Sequence, residues 1–153
     1  MANVRVKVDT RKLRKNLSKV NPAINKAIAI SAPQFIIEFI KKGISPVASV
    51  GGRFVKYSTS YVTAIKKGYV KNKKRSPVNL TLTGEMLRSI TSKATSTGAT
   101  ISFTDDKAEY HNKGTNNVPR RAMLPSSSGE KFNRNIELRL REVATQVINK
   151  ILG

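Results

Sequence analysis

Near the C-terminus Phe132, Ile136, Leu140, Val143, Val147 and Ile151 recur at spacings of three and four, with polar and charged residues between them. That period belongs to a helix with one buried face. Ser127 and Glu130 have the spacing of a capping box, so the helix is expected to run from Glu130 to Leu152. Its 23 residues would measure about 35 Å, enough to lie across a small sheet. Ala144 and Ile148 widen the apolar stripe beyond a narrow coiled-coil seam, which favours packing on a sheet.

At the other end the period is two. Val4, Val6 and Val8 alternate with Arg5, Lys7 and Asp9, which reads as a half-buried strand, and Thr10 stands where a helix N-cap would. Leu13, Leu17 and Val20 return to helical spacing among basic residues, and Asn21-Pro22 is expected to interrupt that helix. Pro22 suits the first turn of a second helix with Ile24, Ile28, Phe35, Phe39 and Ile40 as its stripe, kinked near Ile30 by Pro33.

The middle of the chain reads as sheet. Leu80 to Thr83 alternate as a strand lead, Gly84 permits a turn, and Glu85 to Arg88 can form one helical turn. Ser89 to Thr95 and Ala99 to Thr104 form a hairpin about Gly98. Asp105-Asp106 can cap a short turn from Lys107 to His111 that carries Tyr110 and His111 at its end. Val118 to Leu124 reads as a further strand or extended arm, with Pro119 and Pro125 suited to a sheet edge. The expected fold is α+β in a single domain of 153 residues: a small, mostly antiparallel sheet packed by N-terminal helices and a long C-terminal helix.

Between Gly43 and Val78 periodicity fades and Gly, Pro, Ser, Lys and Tyr take over, so residues 43–78 are expected to be a basic flexible loop. Arg53, Tyr57, Tyr61, Lys71, Lys73, Lys74 and Arg75 lie here. Cations interleaved with rings are what a single-stranded nucleic-acid surface uses, since bases stack on the rings while phosphates meet the charges. The other reading is a loop that orders against a neighbouring subunit. No RNA-recognition signature accompanies the tyrosines.

Net charge is +20, and its distribution is uneven. Residues 1–80 hold 18 Lys and Arg against 2 acids, and residues 81–153 hold 11 against 7. Such an excess points to a polyanionic partner, nucleic acid or an acidic protein face, or else to a solvated repulsive surface. Hydrophobic content of 39% with no Trp suggests a thin core that completes its burial against copies of itself.

Enzymatic chemistry finds little support. The absence of cysteine removes disulfides, thiolate zinc sites and cysteine nucleophiles. His111 is the single histidine, in a polar Asn-Lys-Gly setting where a hydrogen-bonding role is expected, and Asp105-Asp106 would diverge on a strand rather than converge on a metal. No cofactor or metal is implied. The most apolar window, Ala27 to Ile40, is broken by Ser31, Pro33, Gln34 and Glu38, and no apolar run follows Arg5 and Lys7, so neither a membrane span nor a signal peptide is expected.

Three motifs stand in order: Thr83-Gly84 with Leu87 and Ser89-Ile90, then Tyr110-His111 with Gly114, then Val118-Pro119-Arg120-Arg121-Ala122-Met123-Leu124-Pro125. With Gly51, Arg53, Phe54 and Tyr57 upstream, this order over residues 45–125 resembles the tail-completion, or head–tail joining, proteins of tailed bacteriophages. The resemblance implies a structural virion protein, a neck ring component joining the tail to the head-closure complex, commonly six-fold. It implies contact with copies of itself, with a tail-tube or tail-terminator protein and with a head-closure or connector protein, and possible contact with genomic DNA. Its implied place is the virion neck, after assembly in the host cytoplasm. The loop with His111 and Gly114 would then lie near subunit contacts, and the segment with Pro119 and Arg120 would belong to the sheet region. Arg120 and Arg121 project to opposite faces of an extended segment, so at most one lies inward while the other is free for a partner carboxylate or phosphate, and both are candidate contact residues. The alternative is a basic nucleic-acid-binding protein.

Overall fold

The computed structural model describes residues 11–50, 52–71, 73–81 and 84–153, and side chains from residue 15 onward. The Val4 to Val8 alternation and Thr10 lie outside the described residues.

The architecture is α+β. Helix α1 runs over Arg11–Lys41 and α2 over Thr59–Lys66, followed by the single turn α3, Glu85–Arg88. Strands β1 (Ile90–Ala94) and β2 (Ala99–Phe103) form an antiparallel hairpin, and helices α4 (Asp106–Lys113) and α5 (Arg134–Leu152) complete the order. Ile90 pairs with Phe103 and Ser92 with Ile101, which puts these four half-buried residues on one face. Helix α1 packs along α5 and across both strands.

Two helices were expected where α1 is one. It is continuous over 31 residues with Pro22 and Pro33 inside it. Each proline removes one backbone hydrogen bond, to the carbonyls of Ser18 and Ala29. Packing outweighs that cost, because Ala32, Ile36 and Ile40 are fully buried. Lys15–Lys41 is also long and apolar enough to cross a membrane by length and composition, a longer stretch than the sequence window suggested. Only 22% of its apolar window is buried, and the buried residues of α1, among them Val20, Ala32, Ile36 and Ile40, belong to a helix that contacts the hairpin and α5. Asn25 fixes its register: the buried side-chain amide donates to the carbonyls of Thr95 at 2.9 Å and Ser96 at 3.3 Å, in the hairpin turn.

The described residues of the segment 43–78 make specific tertiary contacts. The Phe54 N–H donates to the Gly43 carbonyl and the Ser45 N–H to Gly52, closing a small loop bridged at Ile44 and Arg53. Ser45 is fully buried and its hydroxyl donates to the Ala122 carbonyl at 2.7 Å. Further on, Ser58 caps α2, its hydroxyl accepting from the Tyr61 N–H. Tertiary hydrogen bonds thus replace the missing hydrophobic period.

Helix α5 begins four residues later than the capping-box reading placed it, at Arg134 with Asn133 as N-cap. Val47 bridges Phe132 and the Asn133 N–H donates to the Pro46 carbonyl, which holds residues 131–133 extended. Glu130 serves elsewhere. Its carboxylate accepts from the Ser126 N–H at 2.8 Å and pairs with Arg120. Leu80 and Thr81 are in no strand, with Leu80 at φ +50°, and residues 82–83 lie outside the described set. Of the two readings for Val118 to Leu124, the strand is absent and the segment is an arm bonded to α4.

The core joins α1, α3, the hairpin, α4 and α5. Ile36, Ile40, Phe54, Met86, Leu87, Met123 and Ile136 meet in one buried cluster, with the hairpin's inner face packed against it.

Candidate functional site

The Pro-Arg-Arg segment has no strand partner, so its backbone donors need other acceptors. Helix α4 supplies them. The Asn112 side-chain oxygen accepts from the N–H groups of Met123 at 2.6 Å and Leu124 at 2.8 Å, and the His111 carbonyl accepts from the Arg121 N–H at 2.7 Å. The Asn112 carbonyl accepts from Arg120 Nε at 3.0 Å. Gly114 ends the helix at φ +78°, and a Cβ there would stand 3.0 Å from the Arg120 nitrogen. The glycine is needed twice, for its left-handed backbone and for the close approach of the arginine segment. The two sequence motifs are therefore one interlocked unit.

That unit forms one wall of a cavity of about 550 Å³, with Tyr57 and Tyr61 on another side and α3 contributing Met86. Tyr57 and Tyr61 meet edge to face, ring centroids 4.9 Å apart. Lys73 and Arg121 both approach the Tyr57 ring, with Nζ 5.4 Å and Cζ 5.5 Å from its centroid. Asp105 caps α4 through the Lys107 N–H, and the helix brings Lys107, Tyr110 and His111 to the same cavity at spacings of three and four.

Both central cations are held by neutral groups. Arg121, 4% exposed, donates from Nε to the Val55 carbonyl at 3.0 Å and from Nη2 to the Lys56 carbonyl at 3.1 Å. Lys73 donates to the Asn79 side-chain oxygen at 2.7 Å and to the Thr81 carbonyl. Among the described residues no carboxylate forms an ion pair with either. Burial pushes the Lys73 ammonium down to about 8 and lowers the Arg121 pKa as well. Burial also lowers the His111 pKa, with Arg121 and Lys73 adding to the effect, which favours the neutral imidazole. Its Nδ1 is buried without a hydrogen-bond partner. The Tyr57 hydroxyl is likewise buried, near the backbone of Asn79 and Leu80 without a well-formed bond to either, and burial raises its pKa. The cavity offers positive charge and polar atoms with spare hydrogen-bonding capacity against aromatic and apolar walls.

Of the expected contact residues, Tyr57, Tyr61, Lys73, His111 and Arg121 come together here. Lys74 and Arg75 lie beside it with Lys66 around a shallow surface depression that Lys73 also borders. Arg53 and Lys71 are exposed outside both, and Arg120 points away to Glu130 and Ser126. The sequence reading missed Lys107, Met86 and the clamp at Asn112. Lys107 and His111 are four apart in a capped helical segment, a signal that was available. Among the described residues no cluster of three or more His, Asp or Glu could hold a metal ion. Comparison with protein-family models, curated proteins and solved structures gives no match.

Proposed function

We propose that this chain is a self-associating structural protein of a tailed-phage virion, a neck ring component between the tail tube and the head-closure complex. One observation carries the self-association. Large apolar side chains stand in solvent on two long helices: Leu17 and Ile30 on α1, and Leu138 and Leu152 on α5, are 43–62% exposed. Contiguous apolar surface on a protein marks an interaction site, and a second copy packed on α1 and α5 would cover these side chains. The virion assignment is supported by the motif order, and by Gly114 and Arg120 being in the close contact that makes a Tyr-His-x-x-Gly turn and a Pro-Arg segment a coherent pair.

The test is a phage whose gene for this chain is deleted. Heads and tails that form but fail to join, restored by supplying the protein, support the reading; normal infectious particles without it overturn it.

A basic nucleic-acid-binding protein is the second reading, favoured by Lys66, Lys73, Lys74 and Arg75 around one surface depression. It requires DNA affinity that falls steeply with salt.

A further inference from the structure

We propose that the cavity between α2, α4 and the Pro-Arg-Arg segment receives an acidic segment of another protein, taking one carboxylate against Lys73 and Arg121 and an adjacent apolar side chain against Met86, Leu80 and Val118. The inference is independent of the virion reading, because it rests on the cavity alone.

Charge complementarity selects the occupant. Lys73 and Arg121 converge on one tyrosine ring without a carboxylate partner among the described residues, and Lys107 adds a third cation to the lining. Two of the Lys73 ammonium hydrogens and part of the Arg121 guanidinium are used by carbonyl and amide oxygens, leaving further donors on each. The Tyr57 hydroxyl adds a buried group with no bond of its own. A carboxylate satisfies these groups by charge-assisted hydrogen bonds and offsets the desolvation that lowers the Lys73 pKa. Glu85, the one acid in the lining, leaves the balance of charge positive.

The walls decide between protein and nucleic acid. A single strand is bound by a groove that tracks successive phosphates. Here the cations focus on one ring, and Leu80, Met86, Val118 and Pro119 supply an apolar lining suited to a side chain next to the acid.

The test uses the full chain and a fluorescently labelled, end-blocked peptide alternating Asp and Glu with Leu and Phe, followed by anisotropy at fixed ionic strength. A copy with Asn and Gln for the acids, and an oligothymidylate, are the comparison ligands. Lys73→Met is expected to weaken acidic-peptide binding about tenfold, the effect of one charge-assisted hydrogen bond. Arg121→Lys, which keeps the charge and loses the fork, is expected to weaken it less. The double variant Lys19→Gln/Lys26→Gln, on exposed α1 positions outside the cavity, is expected to change it less than twofold by screening of distant charge. Equal losses in the α1 variant, equal binding of the neutral peptide, or unchanged binding by both cavity variants overturns the proposal. Lys73-dependent binding of the oligothymidylate in preference to the peptide also overturns it and assigns the cavity to nucleic acid.

Discussion

Asn112 holds Met123 by a 2.6 Å hydrogen bond from the Met123 N–H to its side-chain oxygen. The same oxygen takes the Leu124 N–H, so one amide replaces a missing strand partner for a segment whose Met123 is fully buried. Asn112→Ala leaves two donors unpaired and should cost about 2–4 kcal/mol. Asn112→Asp keeps the acceptor and should retain more stability than the alanine variant. Urea unfolding of both variants measures the difference.

Gly114 and Gly98 should respond unequally to alanine. At Gly114 the new Cβ meets the Arg120 backbone and the φ of +78° is strained for an L-residue, a cost of about 1–3 kcal/mol. At Gly98 a Cβ meets nothing within 4 Å, and the change should stay within about 0.5 kcal/mol. Thermal melts of the two variants check this contrast.

Asn25→Ala should loosen α1 from the hairpin. It leaves the Thr95 and Ser96 carbonyls without this donor and should cost about 1–2 kcal/mol. Hydrogen exchange should report the loss first in β1 and β2 rather than in α4.

Glu130 gives the fold an acid limb. The Ser126 N–H and Arg120 hold its pKa at about 2, below the ordinary 4.5. The folded state therefore binds fewer protons than the unfolded chain between these values, so the contribution is present above pH 4.5 and lost as pH falls towards 2. Glu130→Gln should flatten the stability–pH curve in that window and leave its alkaline side unchanged.

Lys73 acts at the other end. Its folded pKa of about 8 lies below the ordinary 10.5, so between these values the unfolded chain holds the extra proton. Stability should rise with pH across that window. Lys73→Met should remove the rise, measured as the unfolding midpoint from pH 7 to 11.

Much of the fold was legible because its signals are local. The α3 turn after Gly84, the hairpin about Gly98 and the Asp105 cap each rest on a few adjacent residues, and each is present. Failures arose where distant contacts win. Pro22 and Pro33 would break an isolated helix, but α1 is held by burial against β1, β2 and α5. Ser127 and Glu130 have the spacing of a cap, but the bonds between Pro46 and Asn133 displace the helix start. Tyr57, Tyr61 and Lys73 could be named from composition, and His111 and Arg121 from the motif order. Their meeting around Tyr57 depends on α4 and on the path of residues 73–80, which no local pattern encodes.

Sedimentation velocity of the purified chain over a range of concentrations is the most direct measure of whether the exposed apolar side chains of α1 and α5 form a subunit interface. A discrete, closed assembly of several copies, six by the resemblance to phage neck proteins, is the expected result. A monomer at every concentration would contradict it.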